Sequence, residues 1–411
     1  MKSNYKPIGN YIQRVENRNR DLKVTRLLGL SMTKEFRETT SNIVGTDMSV
    51  YRVMSKYQFA CDFMSPIRVN KLPVVLKLDD EPNLVSPAYP VFEVKDRNEL
   101  DPEYLMMWFR RPEFDRYATF KCDGAIRGGY EWKELCETLI PIPHIDKQRE
   151  IVKEYNTIQN RIALNQQLIQ KLEETAHAIY KEWFVEFEFP DEEGKPYKSN
   201  GGKMVWNEEL EKEIPKGWKL IEINSICEIT SSKRIFESEY KTEGVPFYRG
   251  KEITQKKAGE VISDIIYISV ERYNELIKNY GKPSKGDILM TAVGTIGSTY
   301  MVDDEEFYFK DGNVVWFKNF KKEDWNYFLY DFMQTEQFTN LINEITIGST
   351  QSAITIKTFG QQKILFPEKN ILERYIVFSK HLNLNLKLKK SENQKLTKLK
   401  ELLLSKLATI E

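Results

Sequence analysis

The longest regular pattern of apolar and polar positions runs from residue 144 to residue 189, where neither Gly nor Pro occurs. Within it a row of mostly apolar residues, here called the seam, recurs at alternating spacings of four and three: Ile151, Tyr155, Ile158, Ile162, Asn165, Ile169, Leu172, Ala176, Ile179 and Trp183. This heptad spacing predicts a helix of roughly 40 residues, about 60 Å long. Such a helix has to bury its seam against another helix.

A second stretch without Gly or Pro follows Pro367 and continues to residue 411. Its apolar positions keep a similar spacing with three polar interruptions: Leu382, Leu386, Leu396, Leu403, Leu407 and Ile410, interrupted by Lys389, Asn393 and Lys400. Because a long segment separates the two stretches, an antiparallel pair is the simplest arrangement. We predict two helices, over 146–189 and 367–411, that form a coiled coil and act as a spacer of fixed length.

Asn165 occupies a seam position, where a polar side chain has two interpretations. A buried asparagine in a coiled coil costs stability but fixes the register of the helices. A seam that is hydrated at this level explains the asparagine equally well. The sequence leaves both interpretations open.

The other residues form two similar segments, 1–145 and 214–366, joined by a charged, turn-rich connector over 190–213. In the first segment, short runs rich in β-branched and aromatic residues predict strands, at 51–54, 58–61, 73–78 and 90–94. Residues 103–118 repeat apolar side chains at helical spacing instead. The second segment has the same order of patterns, so we predict an α+β fold with two similar α/β domains.

The two segments and their helices are related by an internal repeat. Residues 104–184 recur at a constant offset of 224 positions, which pairs Phe114 with Phe338, Ile140 with Ile364 and Pro143 with Pro367. A unit this long is a whole domain with a helix and not a solenoid repeat. We therefore expect an internal pseudo-twofold repeat in which the antiparallel helices separate two domains. Because the domains are similar, we expect them to recognise two similar targets.

Composition excludes several classes of protein but leaves the partner open. Lys and Arg together number 61, as do Asp and Glu, so the summed charge is zero. A nucleic-acid surface is still possible, because basic residues can be concentrated on one face. The four cysteines and three histidines lack the spacing of a disulfide framework or a zinc site. No apolar run is long enough for a signal peptide or a membrane span, so we expect a cytoplasmic protein without membrane contact.

Several motifs together resemble the DNA specificity subunits of type I restriction-modification systems. The most specific covers 182–202 and continues to Ile214-Pro-Lys-Gly-Trp218. Supporting motifs are Ile140-Pro-Ile-Pro143 with Gln148-Arg149-Glu150-Ile151, Gly286-Asp-Ile-Leu289 with Gly294-Thr-Ile-Gly297, and Gly348-Ser-Thr-Gln351. The resemblance covers nearly the whole chain. The second copy departs from the pattern at 367–374, where Leu372 and Glu373 replace an expected Gln.

The resemblance implies that 1–145 and 214–366 are target-recognition domains, each reading half of a split site in double-stranded DNA. The resemblance also implies that the two spacer helices bind modification subunits, two per complex, and that restriction subunits join the complex. Methyl transfer and cleavage would be catalysed by these partners, which would carry S-adenosylmethionine, ATP and Mg²⁺. No cofactor or metal is expected in this chain, which would act as a non-catalytic scaffold.

Residues suited to DNA contacts follow the opening strand of each domain. Base and phosphate recognition uses Arg, Lys, Asn, Gln, Ser and Thr on loops. In the first domain the candidates are Arg14, Arg18, Asn19 and Arg20. In the second they are Lys233 and Arg234 beside Ser231 and Ser232, then Arg249, and Ser349, Thr350 and Gln351 in a Gly-headed loop. A solvated loop explains each cluster nearly as well.

Two other functions have sequence support and stay open as alternatives. Asp80 with Glu93 and Lys95 imitates the D…E-x-K pattern of Mg²⁺-dependent nucleases, although this pattern is common by chance. A helical protein-interaction adaptor would need only the two long helices. Ser86-Pro-Ala-Tyr89 resembles the S-P-P-Y tetrapeptide of adenine methyltransferases, but Ala88 breaks it and a turn before a strand is the simpler interpretation.

Overall fold

The computed structural model describes residues 4–40, 45–122, 129–262, 264–346 and 356–410. By internal packing the chain divides into two compact units, residues 1–163 with 396–411 and residues 164–395. The two longest helices each contribute a segment to both units. Within the described ranges, no helix is both long and apolar enough to cross a membrane.

The first unit is built from short strands and helices around one core. Its strands are β1 (Tyr5–Pro7), β2 (Ile12–Val15), β3 (Leu28–Leu30), β4 (Phe36–Glu38), β5 (Arg52–Met54), β6 (Gln58–Cys61), β7 (Val74–Leu76), β8 (Asn83–Val85), β9 (Val91–Val94) and β10 (Leu139–Pro141). Its helices are α1 (Ser65–Val69), α2 (Pro102–Phe109), α3 (Pro112–Lys121), α4 (Trp132–Glu137) and the start of α5 (Ile145–Phe184).

An antiparallel sheet with the order β2-β9-β6-β7 forms the centre of the first unit. Phe59 on β6 stacks on Phe92 of β9 with 4.9 Å between ring centroids. Phe109 of α2 packs edge-on against both rings. Each such buried aromatic stabilises the fold by about 1.5 to 3 kcal/mol relative to exposure. The four strand regions expected from the sequence correspond to β5, β6, β7 and β9 of this unit.

Residues 103–118, whose apolar side chains recur at helical spacing, lie in two helices. α2 ends at Phe109, and α3 begins at Pro112. Proline lacks the backbone N–H that a helix interior requires, and it forces the preceding residue into an extended conformation. Arg111 accordingly has φ −71° and ψ 134°. Pro112 thus starts a new helix.

A buried lysine attaches the β3–β4 hairpin to α3. Lys34 is 5% exposed, and its ammonium group contacts Asp115 at 2.8 Å. The same carboxylate accepts a hydrogen bond from the backbone N–H of Leu72 at 3.0 Å. Burial lowers the pKa of Lys34, and the nearby Asp115 opposes this shift. The ion pair fixes the hairpin through a contact that the hydrophobic pattern does not reveal.

The second unit repeats this order of elements with insertions. Its strands are β11 (Met204–Asn207), β12 (Lys212–Pro215), β13 (Lys219–Glu222), β14 (Glu228–Thr230), β15 (Val245–Tyr248), β16 (Ile266–Ile268), β17 (Ile288–Thr291), β18 (Thr299–Met301), β19 (Tyr308–Phe309), β20 (Val314–Lys318) and β21 (Lys363–Phe366). Its helices are α6 (Gly250–Ala258), α7 (Val270–Tyr280), α8 (Trp325–Phe332), α9 (Glu336–Thr346), α10 (Ile356–Gly360) and most of α11 (Lys369–Lys406).

The sheet topologies of the two units correspond strand by strand. The order β14-β20-β17-β18 in the second unit matches β2-β9-β6-β7 in the first. The pair β13–β21 likewise matches β1–β10, which places Ile364 and Ile140 on equivalent strands. The predicted duplication is therefore present in the fold. The sheet β16-β15-β19, with the helices α6 and α7, is an addition in the second unit.

Helix α5 ends at Phe184, five residues before the predicted boundary. Phe187 has a φ of 63°, in the left-handed region that ends helices. The ring centroid of Trp218 lies 5.5 Å from that of Phe187 and 5.3 Å from that of Phe189. Burial of these aromatic side chains turns the chain away from the helical path.

Segments of α5 and α11 pack against each other inside each unit. In the first unit Ile151 and Tyr155 share a core with Leu404 and Leu407. In the second unit Phe184 packs edge-on against Tyr375, at 4.6 Å between centroids. Every predicted seam residue of α5 is buried or half-buried. Coiled-coil packing along the whole length stays a prediction.

Asn165 makes a direct hydrogen bond within the second unit. Its side chain is 3% exposed, and its Nδ2 donates to Oδ1 of Asn393 at 3.0 Å. Asn393 is one of the polar interruptions of the second seam. Further along, Lys390 pairs with Glu173 at 3.0 Å, which shows that the two helices are antiparallel here. This contact supports the interpretation in which asparagine fixes the register.

Replacing Asn165 by Leu should lower the free energy of unfolding by about 1 to 3 kcal/mol, because Asn393 loses its buried partner. The double variant Asn165→Leu/Asn393→Leu should recover most of this loss, since replacing both polar partners by apolar groups can be nearly neutral. Urea denaturation measures both effects. Gln166→Leu, at an exposed neighbouring position, is the matched control. A double variant no more stable than either single one would support a hydrated seam instead.

Candidate nucleic-acid interface

The loop after β2 brings arginines to the surface of the first unit. Arg14, Arg18 and Arg20 are all exposed. The guanidinium of Arg14 lies 5.0 Å from the ring centroid of Trp132, within cation–π range. Nη1 of Arg18 donates to the carbonyl of Val50 at 2.9 Å. These contacts restrict the side chains while leaving donors for phosphate or base edges.

Asn19 has a structural role in this loop and is not placed to read bases. Its side chain is 1% exposed. Nδ2 donates to the carbonyl of Val24 at 2.8 Å, and Oδ1 accepts from the N–H of the same residue at 3.2 Å. Asparagine suits this position because its amide can satisfy both backbone groups. The expectation that Asn19 contacts DNA is therefore corrected, since it shapes the loop that carries Arg18 and Arg20.

The structure adds Arg52 to this surface, a residue that the sequence did not single out. Its Nη1 pairs with Oε2 of Glu16 at 2.7 Å, and its Nε donates to the carbonyl of Pro87 at 3.2 Å. The hydrogen bond from Arg52 and the nearby charges of Arg18 and Arg14 lower the pKa of Glu16. Three arginines thus lie near one carboxylate. An antiparallel backbone pairing of Arg18 with Arg52 brings these two residues together, although they are distant in the sequence.

In the second unit, the serines after β14 are used internally. The hydroxyl of Ser231 donates to the carbonyl of Val314 at 2.8 Å, and that of Ser232 donates to the carbonyl of Phe309 at 2.6 Å. These bonds hold the loop against β19 and β20. They leave Lys233 and Arg234, which are exposed, as the residues able to contact a ligand.

The basic candidates of the second unit differ in how firmly they are held. Nζ of Lys233 lies 4.7 Å from the ring centroid of Tyr280. Arg234 pairs with Asp311 at 3.1 Å, with 69% of its side chain exposed. Arg249 instead makes two bonds to the buried carboxylate of Glu252, at 2.7 and 3.2 Å.

Arg249 therefore stabilises the start of α6, and a contact between its side chain, which is 34% exposed, and DNA stays a prediction. Glu252 also accepts the backbone N–H of Arg249 at 2.8 Å. Removing Arg249 from this pair would leave an uncompensated buried charge. The remaining candidates, Ser349, Thr350 and Gln351, lie outside the residues that the structure describes.

The residues of the nuclease-like pattern are occupied by other contacts. Glu93 accepts hydrogen bonds from the amides of Gln13 at 3.0 Å and Gln58 at 3.1 Å. Lys95 donates to two backbone carbonyls, and Asp80 pairs with Lys56 at 3.0 Å. In the described parts of the chain, no group of three His, Cys, Asp or Glu residues is arranged to hold a metal ion. Each residue of the pattern is thus held by a contact within the first unit.

Ser86-Pro-Ala-Tyr89 forms a turn before β9, as its simpler interpretation predicts. The N–H of Tyr89 donates to the carbonyl of Ser86 at 3.0 Å. Arg52 also binds within this turn, at Pro87. The tetrapeptide therefore supports the arginine cluster of the first unit.

The long helices present apolar side chains that are not part of the seam. In the second unit Leu164, Leu168 and Leu388 are between 43% and 59% exposed. In the first unit Leu399 and Leu402 are 50% and 58% exposed. The seam residues of α5 are buried or half-buried, so these exposed leucines are better placed to contact another protein.

Comparison with known proteins matches one family. The model of the type I restriction modification DNA specificity domain matches residues 215–398. A putative type I restriction enzyme specificity subunit of Haemophilus influenzae is 36% identical over 115 residues, 28% of each chain. The type I restriction enzyme MjaIX specificity subunit of Methanocaldococcus jannaschii is 24% identical over 66% of this chain. The matched regions thus span 28% and 60% of these two relatives.

A solved structure shares the fold. The crystal structure of a type I restriction-modification system S subunit from M. genitalium covers 99% of this chain and 96% of its own, with a TM-score of 0.57. The sequence identity of 14% limits this likeness to the fold. It extends over both units and their long helices.

Proposed function

We propose that the chain is a member of the type I restriction-modification DNA specificity subunits, to which its matches point, and that it reads a bipartite DNA target without catalysing a reaction. Each unit reads one half of the target. The observation that supports this proposal most strongly is the duplicated sheet, in which β2 and β14 are equivalent strands followed by exposed basic loops.

Duplication has an energetic advantage for recognising DNA. Each mismatched base pair costs about 1 to 3 kcal/mol, so one small module with a few base contacts discriminates weakly. Two modules add their discrimination and ignore the base pairs between them. In the first unit the exposed Arg14, Arg18 and Arg20 supply phosphate or base donors, and Arg52 pairs with Glu16 beside them. Lys233 and Arg234 supply such donors in the second. The zero net charge of the chain allows this, because basic residues can be concentrated locally.

The same proposal assigns the reactions to partner subunits. Modification subunits, two per complex, bind the long helices through exposed leucines such as Leu168, Leu388 and Leu402. Restriction subunits join this assembly. S-adenosylmethionine, ATP and Mg²⁺ belong to those partners and not to this chain. A helical adaptor that binds no DNA would use the same leucines, so DNA binding is the property that separates the two functions.

We expect methylome sequencing of a host that carries the modification subunits to show one split motif only when this chain is present. The variant Glu93→Ala/Lys95→Ala should leave that motif and any restriction essentially unchanged, because partner subunits perform the chemistry. Both side chains make contacts within the first unit instead.

Two results would contradict this proposal. An unsplit motif, or none in the presence of folded complex, would argue against bipartite reading. Loss of cleavage by the Glu93 and Lys95 variant, with DNA binding and folding retained, would restore the nuclease alternative. Arg116→Ala is the matched surface control, since Arg116 is exposed and pairs with the exposed Glu113.

A further inference from the structure

A cavity of about 600 Å³ in the second unit has no role in the proposed function. Its walls come from α5, α6, β18, α8 and α11, all within residues 164–395. Cavities that bind small molecules usually measure about 300 to 1,000 Å³. This one is therefore large enough for a ligand the size of a mononucleotide.

Lysines line the cavity in excess of the carboxylates that neutralise them. Four of the lysines are paired: Lys256 with Glu305, Lys285 with Asp304, Lys387 with Asp303, and Lys390 with Glu173. For the fifth, Lys257, neither an ion pair nor a side-chain hydrogen bond is found among the described residues. The carbonyl of Lys257 accepts a hydrogen bond from Lys390 at 3.0 Å, so two ammonium-bearing residues meet at one wall.

The surroundings of Lys257 favour an anion beside its side chain. Burial lowers the pKa of Lys257, the positive charge of Lys390 lowers it further, and Glu173 opposes both. A partly buried ammonium without a counter-ion is unfavourable. An anion between Lys257 and Lys390 would offset both the burial and the mutual repulsion. A phosphate suits this place because lysine binds it as a point charge from several directions.

The remaining walls are aromatic and apolar. Tyr180, Tyr300 and Tyr330 line the cavity together with Met301 and Leu384. Asp331 lies at the same wall, but its carboxylate already accepts hydrogen bonds from Tyr375, Ser379 and Asn383. Burial raises the pKa of Asp331, and these three hydrogen bonds oppose the shift. The cavity thus combines one cationic wall with space for a flat or apolar group.

We propose that this cavity binds a phosphate-bearing ligand the size of a mononucleotide, with its phosphate at Lys257 and Lys390 and its base or apolar body against the tyrosines. The site is separate from the DNA-contacting loops and independent of whether they read a bipartite target. Because α6 and both long helices line it, a bound ligand would stabilise the packing of the helices within the second unit.

The test uses the full chain with adenosine 5′-monophosphate, inorganic phosphate and adenosine as probes. The monophosphate at about 10 mM should raise the melting temperature, since a ligand that binds only the folded state stabilises it. Titration calorimetry should show adenosine binding at least tenfold more weakly. Lys257→Met should weaken binding of the monophosphate about 10- to 100-fold, as expected for loss of a charge-assisted contact.

Lys251→Met is the matched control, because Lys251 lies on the same helix but is exposed and does not line the cavity. It should bind like the unmodified chain. Equal losses in the two lysine variants, or no stabilisation by either phosphate probe, would overturn the proposal. A short DNA duplex that displaces the monophosphate competitively would identify the backbone of DNA as the source of the phosphate. Displacement that Lys257→Met does not affect would place the phosphate elsewhere.

Discussion

Replacing residues 214–366 by the equivalent segment of a relative should change one half of the recognised DNA sequence and leave the other half intact. The reason is that the sheet and basic loop of each unit form within that unit. With three or more base pairs altered at about 1 to 3 kcal/mol each, affinity for the original target should fall by at least 100-fold. Methylome sequencing of hosts carrying each chimera identifies both half-sites.

The junctions of this exchange are set by packing across the boundaries of the segment. Trp218 packs on Phe187 and Phe189, which precede the exchanged residues. Asp331 accepts hydrogen bonds from Tyr375 and Ser379, which follow them. The donor segment should therefore keep a tryptophan and an aspartate at these two positions. A folded chimera that changes both half-sites would show that the units do not read independently.

Lengthening both long helices at one level should widen the gap between the half-sites and preserve their sequences. Four residues inserted after Asn165 and four more before Asn393 add about one helical turn, roughly 6 Å, to each helix. DNA advances about 3.4 Å per base pair, so the gap should grow by one or two base pairs. The hydrogen bond between Asn165 and Asn393 stays available on one side of the insertion.

Two controls separate helix length from the mere presence of extra residues. A four-residue insertion after Gly194, a surface turn with open space around it, should leave the gap unchanged. A proline inserted after Asn165 should instead break the helix, at about 3 kcal/mol or more, and weaken binding of modification subunits. An active complex that keeps the original gap after the paired insertions would show that the helices do not set the spacing.

The candidate site could be predicted from sequence only where local chemistry decides the outcome. Arginine and lysine on turn-rich loops stay exposed because burying an unpaired charge is costly, so Arg18, Arg20, Lys233 and Arg234 were identifiable. Asn19 and Arg249 have the same residue chemistry but bind a backbone segment and a buried carboxylate. Arg52 joins the loop through a strand pairing that brings distant residues together. These outcomes depend on partners far away in the sequence.

The long helices and the short strands could be inferred from the sequence alone, because they follow from the spacing of apolar residues along the chain. The duplication could be inferred as well, because matching residues recur at a constant offset. Only the tertiary structure decided where the aromatic residues after Phe184 leave the helix, since their burial against Trp218 outweighs local helical preference. It also decided that Asn165 meets Asn393 and that Lys257 lines a cavity without making an ion pair to any described residue. The contact between Asn165 and Asn393 joins residues 228 positions apart, and the free energy of such contacts depends on burial and charge that local spacing does not encode.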